Sequence, residues 1–171
     1  MELDLEFLDF LFQTTTGHTI ITFLISMVPV IELRGAIPYG IARGLNPVTA
    51  YVAGTLGNMV PVPFILLLIE VIFKWLKKFD FFRSKIEFLE EHADSKGDLI
   101  RKYKMLGLCI LVAIPFPGTG AWTGALVAAL MKLKMKNALP VIFLGVLIAG
   151  VIVLFGSLGI ASAVGAARTV L

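Results

Sequence analysis

The chain has 171 residues, 58% of them hydrophobic, with a mean hydropathy of +0.92 and a formal net charge of +3. That balance excludes an ordinary water-soluble domain and predicts several segments solvated by lipid, hence an all-α integral membrane protein. The single cysteine, Cys109, lies in an apolar run, which excludes an intramolecular disulfide and reads as a small buried hydrophobe.

In chain order, residues 1–16 open with MELDLEFLDFLFQ, in which Glu2, Glu6, Asp9 and Gln13 share one helical face and Leu3, Phe7, Phe10 and Leu11 supply the other. The pattern predicts a short helix lying on the bilayer surface. Without a positive n-region or a small-residue cleavage site, it does not read as a cleaved signal peptide. Residues 17–45 are apolar but interrupted by Pro29, Glu32, Arg34, Gly35 and Pro38. Each leg, about a dozen residues long, reaches only about 18 Å as a helix, short of a hydrocarbon core about 30 Å thick. The stretch therefore predicts a re-entrant helical hairpin.

Asn46 and Pro47 supply a cap and a first-turn proline, and the apolar run that follows predicts a spanning helix over 46–73. Residues 74–104 carry nine of the fifteen Lys and Arg residues together with six Asp and Glu, with Phe82, Ile86, Leu89 and Ala93 at helical spacing. They predict an amphipathic linker on the membrane surface, broken near Gly97. The pattern then restarts. Residues 105–136 form a second interrupted stretch, MLGLCILVAI then PFPGTG then AWTGALVAALM, ending in basic KLKMK, and 137–165 predicts a second spanning helix.

The two halves align through Pro29 with Pro115, Gly35-Ala36 with Gly120-Ala121, and Asn46-Pro47 with Asn137 to Pro140. This predicts an internal repeat of a re-entrant hairpin plus a transmembrane helix. A re-entrant hairpin adds no crossing and the helix after it adds one, so the two units would be inverted about an axis in the membrane plane. In the rival arrangement each interrupted stretch is one kinked spanning helix. Hairpins put the linker on the same side as Lys132, Lys134 and Lys136, twelve of the fifteen Lys and Arg, whereas the rival splits them. The positive-inside tendency favours the hairpins and makes that side cytoplasmic, in a multi-pass protein of the cell membrane.

Irregular backbone at membrane depth is tolerated only inside protein or beside a cavity. Inverted hairpins would bring their tips together around one central site. The first tip contributes Glu32, Arg34, Gly35 and Pro38; the second contributes Pro115, Pro117, Gly118, Thr119, Gly120 and Trp122. Gly118-Thr119-Gly120 before a helix resembles an anion nest, with Thr119 able to cap. Arg34 offers a permanent cation and five donors suited to phosphate or carboxylate. Two readings of Glu32 and Arg34 stay open: a structural pair holding the tip, or a binding site in which Arg34 holds an anion and Glu32 carries a proton or gates. Asn58 reads as an interhelical hydrogen-bonding residue or a ligand contact, and Arg43 as a snorkelling anchor or a cation on the access path. Gly54, Gly57, Gly145 and Gly150 read as close helix-packing positions.

Enzyme signatures are missing: no H-E-x-x-H helix, G-x-S-x-G elbow, Walker A loop or paired-carboxylate cluster occurs, and His18 and His92 stand alone. No catalytic residue, metal, cofactor or nucleic-acid partner is expected. The expected partners are membrane lipids and an anionic lipid or small-molecule substrate, with a homodimer compatible with so small a unit.

At PVIELRGAIPYGIARG and AIPFPGTGAWTGALVAAL the chain resembles the small multi-drug export protein family along nearly its whole length. That family is in turn similar to the DedA/VTT superfamily, whose members have two opposed re-entrant hairpins, each followed by a transmembrane helix. The resemblance implies movement of polyprenyl-phosphate carriers or phospholipids between leaflets, often linked to protons. By position, Glu32 is similar to the acidic residue of the first hairpin and Pro117-Gly118 to the proline-glycine of the second. The arginines usual around that second motif are absent from 113–122, which leaves Arg34 as the tip arginine. The residues and the resemblance together predict a transporter or lipid translocase for an anionic, phosphate-bearing amphiphile. The alternatives are drug efflux with Glu32 as the binding carboxylate, and a non-transporting scaffold that recruits partners through the linker.

Overall fold

The computed structural model describes residues 12–76, 98–116, 118–131 and 133–170, with side chains at 12–68, 103–116, 118–131 and 133–163. Residues 1–11 of the expected surface helix of 1–16, most of the linker 74–104, Pro117 and Lys132 lie outside the described residues, while Thr14 to Thr16 cap and open the first helix rather than end a surface one. Every described element is an α-helix: α1 (Thr15–Met27), α2 (Glu32–Ala42), α3 (Pro47–Met59), α4 (Pro61–Leu76), α5 (Asp98–Ala113), α6 (Ala121–Leu130) and α7 (Met135–Val170).

Local chemistry sets the boundaries. Thr14 caps α1, its hydroxyl oxygen accepting from Gly17 N at 3.0 Å. The helix ends at Val28, extended at ψ 128°, as the residue before a proline prefers. The first tip is shorter than the sequence predicts. Only residues 28–31 leave the helix, and Glu32 through Pro38 belong to α2, with Pro38 inside it. Burial of Leu33, Ala36, Ile37 and Gly40 on one face holds α2 together across the hydrogen bond that Pro38 cannot donate.

The turn from α2 to α3 is a complete Schellman motif. Leu45 N donates to Gly40 O and Gly44 N to Ile41 O, both at 3.0 Å, with Gly44 at φ +80°. Buried Leu45 supplies the hydrophobic contact, and Asn46 then caps α3 by accepting from Val48 N at 2.9 Å, with Pro47 in the first turn.

The expected single helix over 46–73 is interrupted at Val60. Pro61 and Pro63 have no N–H to give to the carbonyls of Gly57 and Met59, and Val60 N turns back to Gly57 O at 3.3 Å. Pro47–Leu68 and Met135–Ala163 remain long and apolar enough to cross a membrane.

The chain divides into two compact units, one of residues 1–60 with 147–171 and the other of residues 61–146. In the first, α1 and α2 form an antiparallel hairpin packed on α3, and Tyr51 of α3 donates to Leu147 O of α7 at 3.2 Å. In the second, α4 and α5 both pack on α6, and the start of α7 joins them. The interiors are built from small residues, among them Ala36, Ala50, Ala125, Ala128 and Ala138, all fully buried. Large apolar side chains lie outside: Phe64, Leu68, Phe116, Phe155 and Ile160 are each at least 60% exposed. That inside-out distribution is the one expected when lipid is the solvent.

The four glycines expected at helix contacts all occupy them. A Cβ on Gly54 would lie 2.8 Å from Ile37 Cγ1, one on Gly150 would lie 2.7 Å from Tyr51 Cε2, and one on Gly145 would lie 2.6 Å from Val112 Cβ. Gly57 is pressed on the carbonyl of Phe23 and on Ser26 Cβ. The same contact recurs 88 residues later, where Gly145 meets the carbonyl of Cys109 and Val112 Cβ. The α6 exit repeats the α2 exit as well, with Leu133 N on Ala128 O at 2.9 Å where Leu45 N meets Gly40 O. Helix–glycine packing thus repeats at a nearly constant offset, and it aligns Asn46 with Lys134 rather than with Asn137.

Candidate functional site

The charged tip is built by conformational constraint. Val28 is held extended by Pro29, and the chain reverses through Val30 at φ +75° and Glu32 at φ +49°. Left-handed backbone is unusual for any residue with a Cβ and an outlier for a β-branched one. Glu32 N donates to Val28 O at 3.0 Å, which closes the turn and carries the carboxylate inward. Glu32 is only 3% exposed, and its Oε2 lies 3.9 Å from Arg34 Nη1, whose side chain is 15% exposed. In a regular helix residues i and i+2 diverge, and the positive φ at Glu32 is what lets this pair meet. The result is a loose ion pair with its carboxylate inside and its guanidinium near the surface of the unit.

The other predicted residues of this tip have more local tasks. Gly35 makes room for Ile31, whose Cγ2 would stand 2.5 Å from a Cβ there. Pro38 withholds the donor that the carbonyl of residue 34 would receive in a regular helix. Arg43 caps α2 and lays its guanidinium over the Tyr39 ring, Cζ 5.5 Å from the centroid, an aromatic anchor that the sequence reading did not assign.

Asn58 is 1% exposed, and neither its Oδ1 nor its Nδ2 has a hydrogen-bond partner among the described residues. The interhelical hydrogen bond expected of it is not made. That task falls instead to Ser26, which donates to the Gly54 carbonyl and which sequence reasoning missed as one hydroxyl in an apolar leg.

In the second unit, Phe116 N donates to Ile114 O at 2.8 Å around Pro115, and Gly118 and Gly120 take φ +86° and +133°. Thr119 does not cap α6 as expected. Its hydroxyl turns back, 2.7 Å from Ile114 O and 2.8 Å from Phe116 O, and receives Phe116 N at 3.3 Å. The N-cap is Gly120, and the first helical bond runs from Gly124 N to Gly120 O at 2.7 Å. Thr119 therefore shapes the loop, while glycine backbone opens the helix beside Trp122. A groove of about 490 Å³ between α1 and α3, lined by residues including Ile20, Phe23, Val48 and Leu56, is almost wholly apolar and contains none of these polar groups.

Residues 32–152 match the family described as "Putative small multi-drug export protein". The match begins at the buried carboxylate and runs through the second tip into α7. No curated protein and no solved structure matches the chain significantly.

Proposed function

The chain belongs to the small multi-drug export protein family, and on that premise we propose that it is a membrane transporter or lipid translocase for an anionic, phosphate-bearing amphiphile. One observation carries the reading: a buried carboxylate is held beside a guanidinium that keeps a narrow exposed edge, by left-handed backbone inside an otherwise apolar helical hairpin. Charge at membrane depth is costly, by at least about 2.5 kcal/mol on insertion scales, and marks functional paths in membrane proteins. Arg34 binds the phosphate, and Glu32 holds Arg34 in the empty state and takes up a proton as the substrate displaces it.

The internal repeat extends the proposal to the second tip, with Gly118 and Gly120 offering backbone amides. It also supports re-entrant, inverted hairpins with the linker and Lys134 and Lys136 on the cytoplasmic side, which cysteine labelling from each side would test. Reconstitution into liposomes with a fluorescent polyprenyl phosphate or phospholipid tests the function. Leaflet exchange is expected in the wild type and is lost in Arg34→Ala; exchange unaffected by that change overturns the assignment.

The greater burial of Glu32 favours one second reading, efflux of cationic or neutral drugs with Glu32 as the binding carboxylate. Loss of binding in Glu32→Gln but not in Arg34→Gln would select it.

A further inference from the structure

Asn58 carries a second recognition element. A carboxamide presents an acceptor and two donors on one rigid plane, and burying them without partners costs several kcal/mol, with no water in a hydrocarbon core to compensate. Thr55 Oγ1 is also without a partner among the described residues, but a threonine hydroxyl reaches the carbonyl one turn back by rotation about χ1. Asn58, in the last turn of α3, makes no such local bond among the described residues. Replacing Asn58 by leucine would remove the cost.

Its position follows from the register of α2 and α3. A Cβ on Gly40 meets Ala50 Cβ at 3.1 Å, and one on Gly54 meets Ile37 Cγ1 at 2.8 Å and Leu33 Cβ at 3.9 Å. The helices are antiparallel with contacting residue numbers adding to 87–91, so Asn58, one turn beyond Gly54 on the same face, stands level with residues 29–33. That register puts it beside the turn leading into α2, at whose start Glu32 and Arg34 lie.

We infer that Asn58 is the specificity-determining residue of this site and selects a head group with a donor beside an acceptor, a phosphate monoester carrying its proton, over a phosphodiester. The inference rests on the phosphate reading of Arg34 and deepens it. Arg34 supplies the countercharge to either ester. Asn58 Nδ2 donates to a phosphoryl oxygen in either ester. Oδ1 accepts from P–OH, which a diester lacks, so a diester leaves the buried amide oxygen unsatisfied.

The test is equilibrium binding to the full chain in nanodiscs at pH 5.5, with two probes that differ by one methyl group, dodecyl phosphate and dodecyl methyl phosphate. The wild type is expected to prefer the monoester by about tenfold or more. Asn58→Leu, with an unchanged or raised melting temperature, binds both esters alike and more weakly than the wild type binds the diester, because the Nδ2 bond to either ester is gone; Asn58→Ala serves if the larger side chain prevents folding. Equal binding of both probes by the wild type, or a preference that survives in Asn58→Leu, overturns the inference while leaving the phosphate reading intact. Binding of neither probe, or binding indifferent to Arg34→Ala, overturns the phosphate reading and this inference with it.

Discussion

Gly57 of α3 lies against the carbonyl of Phe23 in α1 so closely that not even a methyl group fits between them. The contact sets the distance between the first hairpin and the helix that follows it, and Gly145 on the carbonyl of Cys109 sets it again in the second unit. Adding a Cβ at either position must push two backbones apart. Gly57→Ala and Gly145→Ala are each expected to cost about 1–3 kcal/mol. Gly107→Ala and Gly159→Ala, where a Cβ meets nothing within 4 Å, should be neutral or stabilising by up to about 1 kcal/mol from helix propensity. Melting temperatures in a common detergent check both halves of the contrast.

Val30 is 84% exposed and sits at φ +75°, so its side chain contributes strain with little burial in return. Val30→Gly should raise stability by up to about 1 kcal/mol, the relief of a left-handed β-branched residue less the added freedom of the unfolded chain. A melting temperature unchanged or lowered would count against the left-handed tip.

The Glu32–Arg34 pair predicts a non-additive cycle. Arg34→Ala leaves a buried carboxylate without its cation and is expected to cost about 1–3 kcal/mol, less than a fully buried pair because Arg34 reaches the surface of its unit. Adding Glu32→Gln to Arg34→Ala should restore part of that loss. Stability measured across the four proteins gives the coupling directly.

Thr119→Val removes a hydroxyl that both donates and accepts within its own loop, and about 1 kcal/mol should go with it, together with faster amide exchange at Phe116. Thr119→Ser keeps the hydroxyl and should behave as wild type. Were Thr119 instead the cap of α6, the faster exchange would appear in the first turn of that helix.

Much of this was legible where a residue type has one dominant physical use. Asn46-Pro47 starts a helix, Pro29 and Pro115 end one, and Gly54, Gly57, Gly145 and Gly150 sit at helix contacts because their neighbours leave no room for a side chain. Hydropathy alone misled at Val60, where the run from 46 to 73 is apolar throughout but Pro61 and Pro63 remove two donors within one turn. Glu32 and Arg34 were identifiable as anomalies, yet their meeting depends on a positive φ that no pattern of side chains announces. Thr119 and Asn58 have several possible partners each. Only the folded chain shows that the hydroxyl turns backward and that the amide has no partner among the described residues.

Each unit draws on both halves of the polypeptide. The first needs α1 to α3 and the later part of α7, and the second needs α4 together with α5, α6 and the start of α7. A cut between residues 77 and 97 would leave two fragments, neither of which could complete its own interior. Expressed together they should reassemble, and expressed alone each should fail to fold, because the helix that completes it lies on the other fragment.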